Sequence, residues 1–451
     1  MAADIRTTLR DGPMTMLQVG VVTICTLLNM IDGFDVLAIS FTAPLVAKQW
    51  NVDPATLGVL LSAGLAGMAA GSLFLSPLAD LVGRRAVVVM CTVIISVGML
   101  ASAATSSVWM LALFRLVTGV GVGGVLSSGN TLLSEYAPQR WRDLSISAMV
   151  VGYSGGAIVG GSISAALITL FGWRSAFVFG GLCSTVLIPA VLRLPESLDF
   201  ILARNGKNAL GQVNDVMLRL GCPPVQHLPE VPREDAGTTA VLGVFARRFR
   251  AGTALICVSF FMLMLSFYFV LSWTPKNLVD LGFSVSEGIY ASVLLNSGGI
   301  AGGLVFGVIA RRMGARRVST WLLVALFASI VAYGALSHGL AALMTGATVC
   351  GFFLIGSMAS LYSIVPQIFP ARVRNTGTGL AIGFGRLGAV AGPWLGGILI
   401  AAGWQRFVYY AVLALPILVA ATAVRRIPLL DDAQDGDAAH GHSAPSPSPA
   451  E

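Results

Sequence analysis

Two aspartates three residues apart, Asp32 and Asp35, stand in an otherwise apolar run, Asn29–Met30–Ile31–Asp32–Gly33–Phe34–Asp35. On a helix that spacing puts both side chains on nearly one face. An ionised carboxylate is costly to hold in hydrocarbon, and two this close cannot both stay comfortably ionised there. The pair therefore has the chemistry of a proton-binding site. The structural alternative is that both acids are satisfied near a helix end. Gly33 between them allows a close helix approach or a local break. Two arginines are similarly placed: Arg115 in Leu113–Phe114–Arg115–Leu116–Val117 and Arg386 in Phe384–Gly385–Arg386–Leu387. A guanidinium keeps its charge and presents a planar fork that matches a carboxylate. Each arginine can anchor an anionic ligand or pair with Asp32 or Asp35, and the two roles can alternate.

Aromatic side chains could sandwich a ring. Candidates in apolar runs are Phe34, Tyr153, Phe267, Tyr268, Phe269, Trp273, Phe352, Tyr362 and Phe384. Tyr153 and Phe384 stand out because they fall at nearly equivalent places in the repeat described below. Asn296 is a buried amide that could bind a ring hydroxyl or join helices. Gly119–Val120–Gly121–Val122–Gly123–Gly124 matches a dinucleotide fingerprint, but no strand precedes it and no acidic partner follows at the expected distance. These glycines fit tight helix packing instead. Five of the six cysteines lie in apolar runs, and no cysteine or histidine spacing suits a metal. No nucleophile–base pair is visible, so neither an enzyme nor a cofactor is expected.

The elements that must hold these residues are membrane helices. Hydrophobic residues make up 56% of the 451 and charged residues 11%, with a mean hydropathy of +0.82. A water-soluble surface cannot be built from so few polar groups. A bilayer crossing needs about 20 apolar residues, and twelve such spans follow from the sequence. They cover 17–46, 55–79, 86–105, 108–133, 144–171, 174–193, 251–278, 287–310, 318–337, 340–366, 377–402 and 405–425. The first is long and holds two acids, so tilt or a break is expected. No small-residue cleavage site follows it, so it reads as a retained helix. Of the 28 Lys and Arg residues, four (Lys48, Arg174, Lys276, Arg406) fall in loops on one side and two within spans. The rest fall on the other side, which places both termini in the cytoplasm. The formal charge of +7 is thus loop charge rather than a nucleic-acid surface.

Pro77–Leu78–Ala79–Asp80 with Gly83–Arg84–Arg85 aligns with Val308–Ile309–Ala310–Arg311 and Gly314–Ala315–Arg316, 231 residues on. Pro138, Arg140 and Arg142 align with Pro370, Arg372 and Arg374, 232 on, and Gly172–Trp173 with Gly403–Trp404, 231 on. One shift serving three loops indicates a duplicated six-helix unit. The expected fold is all-α, with twelve transmembrane helices in two six-helix pseudo-repeats. Its parts are an N-terminal bundle (1–193), a cytoplasmic central loop (194–249), a C-terminal bundle (250–426) and a disordered cytoplasmic tail (427–451). The loop begins with a helical stretch that could lie on the membrane surface and ends in the basic patch Arg247, Arg248, Arg250. Duplicated bundles of this kind place substrate near the midplane, between the halves.

Nearly all of residues 15–426 resemble the major facilitator superfamily of transporters. Leu78–Ala79–Asp80–Leu81–Val82–Gly83–Arg84–Arg85 resembles its signature between helices 2 and 3, with Ser76 where Gly is usual and Leu81 where a basic residue is usual. That resemblance implies a cytoplasmic gate formed by Asp80, Gly83, Arg84 and Arg85. Glu135, beside Arg140 and Arg142, resembles a gate acid of the superfamily. Asp32–Gly33–Phe34–Asp35 resembles the Asp-Gly-x-Asp motif of the aromatic acid:proton symporters. This second resemblance implies import of an aromatic carboxylate of the hydroxybenzoate, benzoate, protocatechuate, phenylpropionate or chlorophenoxyacetate type. Asp32 and Asp35 would then couple protons, and Arg386, Arg115, Phe34, Tyr153, Asn296 and Phe384 would bind substrate. It also implies a monomer in a bacterial inner membrane. Antiporters of the superfamily often carry G-x-x-x-G-P-x-x-G-G in helix 5. Here Ala157 replaces that Pro, and the full pattern runs from Gly388 to Gly397 in helix 11. An efflux antiporter, or a receptor for aromatic acids without flux, remain the alternative readings.

Overall fold

The computed structural model describes residue 12 and residues 14–204, 209–225, 245–246, 248–369 and 371–428. Most of the tail reading, Arg247 and the central loop beyond 225 up to 244 lie outside those residues. The first half holds α1 (Met16–Trp50), α2 (Pro54–Val82), α3 (Arg84–Ala103), α4 (Val108–Tyr136), α5 (Gln139–Phe171) and α6 (Arg174–Val191). Two short helices follow, α7 (Leu198–Arg204) and α8 (Ala209–Arg219). The second half holds α9 (Arg250–Asp280), α10 (Val285–Met313), α11 (Ala315–Ala335), α12 (Leu340–Ile368), α13 (Ala371–Ala401) and α14 (Arg406–Arg425). Twelve of these helices are long and apolar enough to cross a membrane.

Local chemistry sets the helix ends. Thr15 and Gln18 form a capping box on α1, and Ser284 and Glu287 form one on α10. Asp53 caps α2 through the Thr56 amide, with Pro54 in the first turn. The carboxyl of Asp53 is held below its ordinary range, first by the backbone and then by the hydroxyl hydrogen bond from Thr56. The first span is one continuous helix of 35 residues despite Pro44. At 1.5 Å per residue it is about 52 Å long and outruns the hydrocarbon core at its ends. Of the close approach or local break that Gly33 allows, the structure shows the close approach: a Cβ there would overlap the Tyr153 carbonyl.

The duplication recurs atom by atom. Asn51 and Gly282, Gly83 and Gly314, and Gly172 and Gly403 all have positive φ, each pair 231 residues apart. A Cβ on Gly67 would overlap the Leu116 carbonyl, and one on Gly298 the Thr348 carbonyl. Gly156 against Met30 repeats as Gly388 against Phe261. Small residues let the backbones touch, which is how helices associate where lipid removes the hydrophobic drive.

Arg174 and Arg406, expected in loops, instead open α6 and α14 and turn inward. Arg174 donates to the Thr105 carbonyl at 2.9 Å and lies over the Trp173 ring. Arg406 donates to the Leu336 carbonyl and lies over Tyr333 and Tyr410. Each cation therefore closes the C-terminal end of the third helix of its half, where the helix dipole is negative.

The halves meet at the end away from the termini. Gly58 and Gly397 bring α2 and α13 into backbone contact. Ser62 Oγ donates to the Val390 carbonyl at 2.8 Å, and Thr169 and Ser286 hydroxyls pair at 3.1 Å. The helical stretch of the central loop does not lie free for a membrane surface. The apolar face of α8 (Val213, Val216, Met217) is buried within the protein.

Candidate functional site

The four charged residues read from the sequence fall into two unlike arrangements. Asp35 of α1 and Arg115 of α4 form a closed pair inside the first half, Oδ1 to Nη1 at 2.6 Å. Arg115 also donates to Ser102 Oγ from Nε at 3.3 Å and Nη2 at 3.0 Å, and to Thr118 Oγ1 at 3.1 Å. Its guanidinium carbon lies 4.8 Å from the centre of the Phe177 ring. Arg115 is 2% exposed and fully engaged. All of these partners belong to the first half.

Asp32 and Arg386 are different. Each stands near the middle of its helix, α1 and α13. Asp32 is buried, and its Oδ1 has no hydrogen-bond partner. The opposite charge acting on it is Arg386, from the other half. Among the described residues no carboxylate lies within ion-pair distance of Arg386. Among the described residues its hydrogen-bonding contact is Met68 Sδ of α2, 3.8 Å from Nη1. Tyr153 of α5 and Tyr268 of α9 share this space, each within electrostatic reach of Asp32 and Arg386. The Tyr153 hydroxyl is buried without a hydrogen bond of good geometry. Tyr362 of α12 lies in the field of the same arginine, its ring edge-on to Phe260 at 5.4 Å. Among the described residues, an unpaired cation and a carboxyl with an unpaired oxygen thus converge with Tyr153 and Tyr268 between the halves at mid-helix, while Tyr362, 42% exposed, stands nearer the end of α12.

Two residues expected at the substrate lie elsewhere. Phe34 is spent on packing: it meets Phe179 edge-on at 5.5 Å and fills the space left by Gly160 and Gly180. Phe384 is 47% exposed, in line with exposed Leu387, Trp394 and Ile398. It sits two residues from Arg386, about 200° round the helix. Its near-equivalence to Tyr153 fails by one residue, because the α5–α13 register is 232 and pairs Tyr153 with Gly385. Asn296 is buried and donates to the Ser292 carbonyl of its own helix at 2.9 Å.

The residues expected at the gate gather at the end that carries the termini, all within the first half. Arg84 pairs with Glu135 at 2.8 Å, and Ser197 Oγ bridges them, accepting from Arg84 and donating to Glu135. Glu196 Oε1 accepts from the Arg85 amide at 3.0 Å, and the Tyr136 hydroxyl donates to the Glu196 carbonyl at 2.7 Å. Gly83 is required here, since its φ is +109° and a Cβ would meet the Glu196 carboxylate. The side chain of Asp80 lies outside the described residues, and Arg142 is exposed. Glu196 and Ser197, the hub of this cluster, were missed in the sequence. So were Ser102 and Phe177 around Arg115. Thr118, three residues after Arg115, was the one legible signal of that cage.

Two unlike arrangements of charge inside a duplicated bundle of twelve membrane-length helices suit a membrane transporter. The family model of the Major Facilitator Superfamily matches residues 25–333 and again 255–448, and the chain belongs to that superfamily. It is 33% identical to the 4-hydroxybenzoate transporter PcaK of Acinetobacter baylyi, over 93% of each chain. It is 32% identical to the gallate transporter of Pseudomonas putida, over 93% of this chain and 94% of that one. Within the superfamily, then, it stands in the aromatic acid transporter family. The fold also matches the partially occluded, inward-open xylose transporter XylE of Escherichia coli, with TM-score 0.72 at 13% identity, covering 92% of this chain and 99% of that one.

Proposed function

We propose that this protein imports an aromatic monocarboxylate together with a proton, by alternating access, across a bacterial inner membrane with both termini in the cytoplasm. The observation that carries the reading is Arg386, a cation between the halves with no carboxylate partner among the described residues. The substrate carboxylate binds its guanidinium fork, and the ring lies among Tyr153, Tyr268 and Tyr362. The substrate class rests on the relatives, which are named for 4-hydroxybenzoate and gallate.

Charge balance supplies the coupling. Asp35 and Arg115 cancel and keep the first half neutral. In the empty site an ionised Asp32 balances Arg386. When the substrate anion takes Arg386, balance returns only if Asp32 carries a proton. A site holding the anion alone, or the proton alone, has one net charge. Burying it costs about 2.5–3.5 kcal/mol on insertion scales, which slows rocking by roughly two orders of magnitude. Empty and doubly loaded sites cross; singly loaded sites do not. One proton per monoanion moves no net charge, so the pH gradient drives uptake. The contacts of Gly58–Gly397 and Ser62–Val390 close the end away from the termini, consistent with an inward-facing state.

The test is uptake by proteoliposomes under an inward proton gradient, with radiolabelled 4-hydroxybenzoate, benzoate, protocatechuate, gentisate, 3-hydroxyphenylpropionate and 2,4-dichlorophenoxyacetate. Accumulation that a protonophore abolishes is the expected result. Asp32→Asn should lose accumulation yet keep exchange of labelled for unlabelled substrate. Full accumulation by Asp32→Asn would overturn the coupling role. Export from everted vesicles with proton entry would replace symport by antiport.

A further inference from the structure

In the first half, the N-terminal turn of α3 is met by a carboxylate from the chain itself. Glu196 accepts the Arg85 amide at 3.0 Å and closes over Gly83. The 231-residue repeat carries Gly83 to Gly314, Arg85 to Arg316 and Glu196 to Ile427. Gly314 keeps the positive φ, and α11 likewise begins without a side-chain cap. The returning segment also arrives at the same place, because Arg316 donates to the Ile427 carbonyl at 3.2 Å. The side chain differs, since isoleucine stands where the first half has glutamate.

A cavity of about 900 Å³ opens at that point, bounded by Arg316, Arg317, Thr320, Gln367 and Arg425. Among the described residues no carboxylate pairs with Arg317 or Arg425, and both are exposed. Trp321 also lines the cavity, one turn beyond Arg317, and is 66% exposed; Val324 continues the exposed apolar edge. Trp321 stands in the second turn of α11, and an exposed Trp near the start of a membrane helix suits the boundary below the headgroups. Basic pockets between helices at that level suit anionic headgroups.

We infer that this cavity binds the phosphate of an anionic phospholipid, in the leaflet on the side of the termini. Arg317 and Arg425 hold the phosphate, and Trp321 lies at the boundary of headgroup and acyl chain. The apolar edge selects a lipid over free phosphate. The bound headgroup supplies to α11 the negative charge that Glu196 supplies to α3, and links α11 to α14.

The test is native mass spectrometry of the full-length protein titrated with phosphatidylglycerol and, separately, phosphatidylcholine. The wild type should prefer phosphatidylglycerol. Arg317→Gln/Arg425→Gln should bind it about 25-fold more weakly, about fivefold per arginine, which corresponds to ~1 kcal/mol for each basic residue at an anionic surface. Its phosphatidylcholine binding should not change. Arg317→Lys/Arg425→Lys should keep most of the preference, which separates loss of charge from misfolding. Undiminished phosphatidylglycerol binding by the Gln variant would overturn the site. Displacement of the lipid by an equal concentration of inorganic phosphate would overturn the choice of lipid.

Discussion

Asp35→Asn should destabilise the protein, whereas Asp32→Asn should leave its stability nearly unchanged. The two aspartates share a helix and a motif, but only Asp35 neutralises a fully buried cation. Arg115 is 2% exposed and keeps Ser102 and Thr118 as neutral partners when the Asp35 charge is removed. Breaking a buried ion pair from one side costs about 3–5 kcal/mol, because the remaining charge is uncompensated. The two hydroxyls soften this, so about 3 kcal/mol is the expected loss. Asp32 has no hydrogen bond at Oδ1 to lose. The double variant Asp35→Asn/Arg115→Gln removes both charges and should recover most of the loss, leaving a deficit of about 1 kcal/mol. Thermal unfolding of the purified protein in one detergent, read by tryptophan fluorescence, ranks the four proteins. Equal destabilisation by Asp32→Asn and Asp35→Asn would refute the division of labour. So would a double variant worse than Asp35→Asn alone.

Three further outcomes follow from the same geometry. Arg386→Gln should raise the KM for the carboxylate substrate about 10–150-fold, the equivalent of a charge-assisted hydrogen bond of about 1.5–3 kcal/mol; uptake kinetics normalised to protein amount would read it, and an unchanged KM would remove Arg386 from the site. Arg174→Gln and Arg406→Gln should each lower stability by about 1 kcal/mol, because each strips a cation from a helix C-terminus, and they should leave substrate KM alone in transport assays. The Asp53 cap should act only above acid pH: its carboxyl is held below its unfolded value of about 3.9 by Thr56, so its stabilisation is full at neutral pH and fades as pH falls through that lowered value. Asp53→Asn should flatten this part of the pH–stability profile, measured against wild type.

Much of this was legible in the chain. The twelve spans fall within a few residues of the helices, because the length of an apolar run is set by the bilayer. The duplication was legible because Gly, Pro and Arg at tight loops cannot drift without breaking the turn. The conserved shift then reappeared in the positive-φ residues. The charged quartet Asp32, Asp35, Arg115 and Arg386 was legible because hydrocarbon makes every intramembrane charge conspicuous. Phe34 and Phe384 misled because an aromatic ring is at home against lipid, a helix or a ligand alike. Its role turns on azimuth, and one residue of register moves that by 100°.

By itself, then, the sequence determined the solvent, the helices, the repeat and the short roster of charges that could do chemistry. Only the tertiary structure decided which aspartate meets which arginine. Asp32 and Asp35 are near-identical neighbours along the chain, and their difference comes from residues 80 and 354 positions away, Arg115 of α4 beside one and Arg386 of α13 facing the other. Pairing across such distances depends on how helices cross. That crossing is set by glycine contacts spread along the whole bundle, which no local stretch of sequence contains.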